Sequence, residues 1–228
     1  MTSIGYGAFD SCSNLISANF PLITEVGGSA FRLCKKLTSF DFSNITSVDS
    51  YAFCYTGITT SEFPELVSIK SSAFYNCLGL TSVKLPKATS LAQGVFQECY
   101  NLTSVYMPEI TTINGLSSCG FTSISQESFP KATSIGSGAF DGNSNLTTVD
   151  FSLITSIEYG AFSFCTSLTK FIMRTSQVCT LNWNVFNNTP IASGEGYIYV
   201  PDELVEDYQS ADYWSAYADQ IKPLSELS

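Results

Sequence analysis

The most informative absence in this chain is that of histidine. None of the 228 residues is a histidine, which excludes the nucleophilic systems in which histidine activates serine or cysteine, and most zinc and iron sites. No Cys-x-x-Cys pair occurs either, so thiolate zinc sites and thioredoxin-type redox motifs are excluded as well. We therefore expect no catalytic residue, no metal site and no cofactor, and hence a protein that is not an enzyme.

Charged residues and long apolar stretches are also scarce. Asp, Glu, Lys and Arg make up 13% of the chain, about half of the usual fraction. No apolar stretch approaches the roughly 18 residues of a membrane-spanning helix, so we expect no membrane span. The net charge of −10 arises mainly from residues 195–228, which hold eight acidic residues and one basic residue. Because the chain has no basic stripe, we expect no nucleic-acid partner.

What the chain does contain is an internal repeat with a period of 22 residues. An Ala-Phe pair or its equivalent marks most repeats, and a double step of 44 residues between Phe96 and Phe140 indicates one repeat without the marker. This kind of self-similarity is the signature of a solenoid, in which each repeat buries its apolar face by stacking on its neighbours. The marker residues, predicted to form one continuous column, are Phe9, Phe31, Phe53, Phe74, Phe96, Phe140, Phe162 and Phe186.

Each repeat is predicted to form a short strand, a bend, a second short strand, one helical turn and a reversal. The residues three and five positions after the opening Leu of Leu-Thr-Ser-Val alternate with polar residues, as in a strand with one buried face. The motif Gly-x-x-Ala-Phe-x-x-Cys suits one helical turn. The Asn or Gly before the opening Leu suits a reversal with positive φ. The sequence therefore predicts an α/β solenoid of about eight to nine units with short parallel strands and one-turn helices.

Residues 113–130 depart from this pattern. The segment from Leu116 to Phe121 has no Ala-Phe pair and is three residues short, and the segment from Ser125 to Pro130 is three residues long. The two changes cancel, so the repeat regains its register after this segment. Counting five positions from the opening residue Phe121 places Gln126 at a core position. Two interpretations remain open: a local irregularity without function, or a distorted unit that redirects a binding loop.

The eight cysteines follow the phase of the repeat. Cys54 and Cys119 lie at a position close to that of the other cysteines in their units. Equivalent core positions suit free cysteine, which packs as a small apolar side chain. We therefore predict buried free thiols rather than a disulfide framework. The cysteines that lie three residues after the marker Phe are Cys12, Cys34, Cys77, Cys99 and Cys165.

The repeat pattern ends shortly before Tyr197. We assign residues 1–196 to the solenoid, whose first unit is incomplete, and residues 197–228 to a C-terminal cap made of a strand and a helix. Asp202 is expected to cap that helix. Either a preceding part is missing from this chain or the first unit is open by nature. An open end exposes apolar side chains and an unpaired strand edge, so we expect end-to-end self-association.

The unit Leu-Thr-Ser-Val-x-Leu-Pro…Thr-Ser-Ile-Gly-x-x-Ala-Phe-x-x-Cys-x-x-Leu resembles the BspA-like (Treponema pallidum type) leucine-rich repeats, over roughly residues 1–190. The tail from Tyr197 resembles the C-terminal caps common in that family. The resemblance implies a right-handed bacterial leucine-rich-repeat solenoid without catalytic residues, on the cell surface or secreted, that serves adhesion or protein binding. The signal for export would lie outside this chain, and a cytoplasmic or virion location remains an alternative. Similar units occur in prophage and tail-associated proteins, so a phage-tail structural or receptor-binding component is the alternative function.

The residues that face outward from the predicted sheet are the candidates for binding. They lie two and four positions after each opening residue, and most of them are small and polar. A sheet that is merely solvated is therefore the alternative to a binding face. Energetically dominant contacts favour Trp, Tyr and Arg, and Tyr106 and Ile172 are the plausible anchors. The residues predicted to contact a protein or glycan ligand are Tyr106, Lys84, Glu62, Asp41, Asp150 and Ile172.

Overall fold

The computed structural model describes residues 2–60 and 62–227, in which short strands, numbered β1 to β17 along the chain, lie in two rows. The first-strand row follows the opening residues and contains β2 (Ser17–Ala18), β4 (Ser39–Phe40), β7 (Ser82–Lys84), β8 (Ser104–Tyr106), β10 (Ser123–Ser125), β12 (Thr148–Phe151), β14 (Lys170–Met173), β16 (Tyr197–Val200) and β17 (Ile221–Pro223). The second-strand row contains β1 (Ser3–Ile4), β3 (Glu25–Val26), β5 (Ser47–Val48), β6 (Ser68–Ile69), β9 (Thr112–Ile113), β11 (Ser134–Ile135), β13 (Ser156–Ile157) and β15 (Thr180–Leu181).

The paired strands run parallel, and residues at equivalent positions of successive units are register partners. The first-strand row consists of the pair β2–β4, the pair β7–β8 and a sheet in the order β10-β12-β14-β16-β17. A bridge between Glu62 and Lys84 extends the β7–β8 pair by one unit. The second-strand row forms one sheet of β1, β3, β5 and β6 and another of β9, β11, β13 and β15. The predicted α/β repeat solenoid of short parallel strands is confirmed.

The marker phenylalanines form the expected column through the core. From Phe9 to Phe96, successive rings stack with centroids 5.1–5.5 Å apart and interplanar angles of 5–14°. The stacking resumes from Phe140, 5.2 Å from Phe162, and continues to Phe186 at 6.2 Å. Offset stacking of this kind adds to the free energy that burial of each ring contributes. The predicted column is confirmed from Phe9 to Phe96 and from Phe140 to Phe186, and the stack of rings is interrupted in the irregular unit.

The turns that carry the Ala-Phe pairs are not helical, so the predicted one-turn helices are wrong at these segments. The N–H of Ala30 donates to a carbonyl three residues back in its own unit, whereas the N–H of Phe31 donates to the carbonyl of Ala52 in the next unit at 2.8 Å. Ser29 and Leu33, two residues before and after Phe31, have φ of 55° and 61°. Left-handed residues at this spacing prevent a helix. Successive donors therefore alternate between their own turn and the neighbouring unit.

The glycines before the opening residues have a steric role instead of the predicted positive φ. Gly57, Gly79 and Gly120 do not have φ values in the left-handed region. A Cβ on Gly79 would overlap the carbonyl oxygen of Gly57, and one on Gly120 would overlap that of Tyr100. Glycine is needed at these positions because the backbones of adjacent units approach too closely for a side chain.

In the irregular unit, Leu116 takes the place of the missing Phe. The N–H of Phe96 donates to the carbonyl of Gly115, and the N–H of Leu116 donates to that of Ala139. These are the inter-unit bonds that marker residues make elsewhere. Leu116 is fully buried, so the core remains continuous although the aromatic stack is interrupted.

The extra residues of the next segment form a 3-10 helix, Gln126–Ser128. Phe129 rather than Gln126 occupies the core position, because the N–H of Met107 donates to the carbonyl of Ser128 as in regular units. The Gln126 side chain instead donates to the carbonyls of Phe129 and Ala132, at 2.7 and 3.3 Å. The insertion restores the register without placing an amide in the core.

The C-terminal segment closes the core and extends the sheet by β16 and β17. The Nε1 of Trp214 donates to the carbonyl of Cys179 at 2.6 Å, and the Tyr208 hydroxyl accepts from the Cys179 N–H at 3.0 Å. Asp202 accepts from the N–H of Ser225 and does not cap the following helix, contrary to expectation. The division at residues 196 and 197 stays a prediction. The helices here are α1 (Pro190–Ser193), α2 (Val205–Ser210) and the 3-10 segments Asp202–Leu204, Trp214–Gln220 and Leu224–Glu226.

Among the described residues, no helix is long and apolar enough to cross a bilayer.

The Phe column predicts a large effect of Phe74→Ala on stability. Phe74 is fully buried between Phe53 and Phe96, so we expect the free energy of unfolding to fall by about 3–5 kcal/mol. Denaturant unfolding followed by circular dichroism measures this change. Leu78→Ala, at an exposed position of the same unit, is the control and should change stability by less than about 0.5 kcal/mol. Equal effects of the two substitutions would contradict a core role for the column.

Candidate binding surface

The outward side of the first-strand row, here called the sheet face, brings three of the predicted binding residues side by side. The Nζ of Lys84 lies 2.9 Å from Oε1 of Glu62, and Lys84 is the register partner of Tyr106. The Tyr106 side chain is 46% exposed. An exposed ion pair contributes about 0–1 kcal/mol to stability. Little free energy is therefore lost when Lys84 or Glu62 leaves this pair to contact a ligand. These three residues form the centre of the sheet face.

Asp41 lies apart from this group and has a local role. Its carboxylate accepts a hydrogen bond from the N–H of Ser43 at 2.9 Å. Hydrogen bonding from the Ser43 side chain, together with this backbone bond, favours the ionised form and lowers the pKa of Asp41. Asp41 is exposed and negatively charged at neutral pH, but it also organises the bend after β4.

Asp150 is held by an arginine that the sequence analysis did not single out. The Nε of Arg174 lies 2.9 Å from Oδ1 of Asp150, and the second guanidinium contact, to Oδ2, is also 2.9 Å. This bidentate hydrogen bonding to Asp150 raises the pKa of Arg174 further above its usual value. The pair is partly exposed and fixes both side chains on the C-terminal half of the sheet face.

Ile172 is buried, so the expectation that it is an exposed anchor is wrong. Its side chain is 5% exposed, although it points to the same side of the sheet as Asp150. Register places it between Asp150 on β12 and Tyr199 on β16. Tyr199 is also nearly inaccessible. In an isolated strand Ile172 would face water, but in the sheet the larger Tyr199 lies beside it.

Tyr197 and Lys222 join the sheet face through the C-terminal strands. The Nζ of Lys222 lies 5.9 Å from the centroid of the Tyr197 ring, a cation–π contact. The Tyr197 and Tyr199 rings are 6.4 Å apart. The alternation Tyr-Ile-Tyr-Val predicts one last strand along the sheet, and β16 is that strand. The same alternation could have added Tyr197 to the binding candidates, because it continues the period-two pattern of the strands before it.

The thiols form a second column, beside the phenylalanines. The Sγ of Cys99 donates to the carbonyl of Phe74, 3.1 Å away, in the preceding unit. The same bond recurs with lengths of 3.0–3.2 Å for Cys34, Cys77, Cys119 and Cys165. Cys119 therefore occupies the same repeat position as the others, three residues after Leu116, and its assignment to a neighbouring position is corrected.

The thiols are free, and all but Cys12 are buried. The prediction of buried free thiols is thus confirmed for seven cysteines and wrong for Cys12. Burial raises the pKa of the Cys34 and Cys54 thiols to about 11 and that of the Cys77 thiol to about 12. The protonated form is inert as a nucleophile. In the described part of the chain, His, Cys, Asp and Glu do not cluster as a metal site would require.

These features define a leucine-rich-repeat solenoid with a filled interior and an outward row of short parallel strands. A family model for the BspA type leucine rich repeat region matches residues 1–103 and 89–204 in six copies. The chain therefore belongs to the BspA-type leucine-rich-repeat family, a family of protein-interaction modules that are typically non-catalytic.

Several solved bacterial leucine-rich-repeat proteins are similar to this chain. A leucine rich cell surface protein from Faecalibacterium prausnitzii A2-165 is 19% identical, with 98% of this chain and 77% of that chain covered and a TM-score of 0.43. A leucine-rich repeat protein from Bacteroides ovatus ATCC 8483 is 16% identical, with 98% and 87% covered and a TM-score of 0.42. The T. pallidum leucine-rich repeat protein is 19% identical, with 93% and 78% covered and a TM-score of 0.38. No curated protein sequence matches the chain.

Exposure predicts that Cys12 is the one thiol of the native protein that reacts quickly. Near pH 8 we expect a thiol reagent such as DTNB to modify one equivalent rapidly, because burial keeps the other thiols protonated and inaccessible. In denaturant without reductant, all eight should react. The variant Cys12→Ser should lose the fast phase and keep the slow ones. Two or more fast equivalents, or fewer than eight thiols in denaturant, would contradict this assignment.

Proposed function

We propose that this chain is an adhesion and protein-interaction module of a bacterial surface or secreted protein, and that it binds its partner through the sheet face. The observation that carries the proposal is the outward row of parallel strands, in which Tyr106 lies near the middle. Arg174 and Tyr197 lie toward its C-terminal end. Tyrosine and arginine are the residue types that dominate binding energy at protein interfaces. The family's role in protein interaction supports the same conclusion.

The charges on the sheet face suit a protein partner of mixed charge. Glu62 and Asp150 are paired with Lys84 and Arg174, so neither sign dominates this part of the surface. Paired charges at an interface contribute more to orientation and to the association rate than to affinity. In this proposal Tyr106 is the anchor, and the two ion pairs set the orientation of the partner.

A bead-adhesion assay tests the sheet face. Beads coated with the full chain are incubated with intact bacterial and animal cells, before and after trypsin treatment of the cells. We expect adhesion to at least one cell type, lost on trypsin treatment because the receptor is a protein. Tyr106→Ala combined with Arg174→Ala should reduce adhesion about tenfold or more, the loss expected when central contacts are truncated.

The matched control is Tyr51→Ala, because Tyr51 is 48% exposed, close to the value for Tyr106, and belongs to a turn rather than to the sheet. This substitution should leave adhesion unchanged. The proposal is overturned if the double variant adheres as well as the unchanged chain, or if coated beads bind none of the cells.

We further propose self-association through the first unit. Within the described residues, β1 pairs only with β3 and β2 only with β4, so each row has an open strand edge at this end. Tyr6 in the first unit, and Ile16 and Leu22 at the beginning of the second, are strongly exposed at this end. The other end is covered by the Trp214 segment. The contact therefore joins two N-terminal ends, where a second copy buries the apolar side chains and pairs the edges.

Sedimentation velocity over a wide concentration range tests this contact. We expect the weight-average sedimentation coefficient to rise with concentration, as mass action requires. Leu22→Glu should abolish the rise by placing a charge in the contact, whereas Phe164→Glu, at an exposed turn position, should not. A monomer at every concentration would reject the proposal.

A further inference from the structure

The irregular unit opens a notch in the turn face, the outer surface formed by the Ala-Phe turns. Regular units have three residues between the second strand and the Ala position, as between Ile135 and Ala139, but the irregular unit has only Asn114 between Ile113 and Gly115. The shortened turn leaves a cavity of about 590 Å³. The polar residues lining it are Gln93, Gln97, Asn114, Ser117, Ser137 and Asp141.

The lining of the notch is rich in amide and hydroxyl groups and contains no lysine or arginine. Amides both donate and accept hydrogen bonds, and a carboxylate accepts them. Oδ1 of Asp141 is buried and has no hydrogen-bond partner among the described residues, and burial raises the pKa of this carboxyl. A phosphate or other anion would meet no positive charge here. The chemistry instead suits a neutral ligand with many hydroxyl groups.

An aromatic shelf lies directly beside the notch. Tyr159 and Trp183 are 45% and 55% exposed, and their ring centroids are 4.6 Å apart. Strand register gives Ser137, Tyr159 and Trp183 the same position in three successive units. Gly138 lines the notch, and its N–H donates to the carbonyl of Tyr159 at 3.0 Å. The shelf therefore begins in the unit next to the notch.

We propose that the notch and the shelf together form a binding site for a neutral carbohydrate chain. A sugar ring presents an apolar C–H face, which packs on exposed aromatic rings, and a rim of hydroxyl groups, which pair with amides and carboxylates. The site offers both kinds of group in adjacent units. Successive units are spaced by about 4.8 Å, comparable with the length of one sugar residue, so a chain lying along the solenoid meets a new unit with each sugar.

The turn face does not suit an extended peptide or a nucleic acid. A peptide that adds a strand needs unpaired backbone groups, but here the N–H groups of Gly138 and Phe162 already donate to the next unit. Nucleic acid needs lysine or arginine at the phosphates, and none lines the notch. The proposal concerns a different face from the sheet face, so either can fail without the other.

Tryptophan fluorescence of the full chain provides the test. The chain has two tryptophans, and only Trp183 is exposed, because Trp214 is fully buried. We would titrate the protein with cellohexaose, maltohexaose, xylohexaose and chitohexaose, each separately, and confirm binding by calorimetry. At least one of them should shift the emission and protect Trp183 from acrylamide quenching.

Substitutions then locate the site. Trp183→Ala and Tyr159→Ala should each weaken calorimetric binding about tenfold or more, equivalent to about 1.4 kcal/mol, and Gln97→Ala should weaken it several-fold. Tyr106→Ala on the sheet face should leave it unchanged. Circular dichroism should show that these variants remain folded, because the substituted side chains lie at the surface. The proposal is overturned if no hexasaccharide binds, if binding survives Trp183→Ala, or if Tyr106→Ala abolishes it.

Discussion

The structure depends on backbone hydrogen bonds that join each unit to both of its neighbours. In the second strands, N–H groups donate to the preceding unit, as from Gly27 to Ile4 at 2.8 Å. In the turns they donate to the following unit, as from Phe9 to Ala30 at 2.7 Å. A unit satisfies its polar backbone only between two others, and a buried backbone group left unpaired is costly. This requirement fixes the register of successive units, and equivalent side chains then lie on top of one another.

The two side-chain columns follow from that register. Outside the irregular unit, each marker Phe meets the Phe of the next unit. Five of the cysteines donate to a carbonyl of the preceding unit. Where cysteine is absent, another donor takes its place: Oγ1 of Thr56 donates to Phe53, and Nδ2 of Asn143 donates to Leu116 and Phe140. The position therefore selects a small side chain that can donate a hydrogen bond, which explains why these thiols need neither a metal nor a disulfide.

A filled interior confines ligand contacts to the outer surfaces. The sheet face is regular, and its character comes from the few large or charged residues among many small polar ones. The turn face is crowded with exposed aromatics and is interrupted where the irregular unit is shorter. The shortening and lengthening by three residues within residues 113–130 alter this outer surface, because Leu116 and Phe129 fill the core positions behind it.

Much of the fold followed from local pattern. The period, the two strands per unit, the Phe column and the burial of most cysteines depend only on which residue types recur at which spacing. The candidates Glu62, Lys84 and Tyr106 were also placed correctly on one face, because a strand alternates its sides. Tyr197 and Lys222 were missed, because their contribution depends on which strands become neighbours after the repeat pattern has ended. Arg174 was missed because it lies six positions after the opening residue Leu168, outside the two outward positions of the predicted strand.

The stacking of the chain, most of its core residues and the outward side of each strand follow from the residue pattern, since these properties lie within one 22-residue unit. Other features depend on contacts between units. The turns are not helical because every second N–H finds its acceptor in the next unit. Ile172 is buried because Tyr199, 27 residues later, lies beside it. In both cases the controlling partner belongs to another unit, and its distance and orientation arise only when the units are stacked.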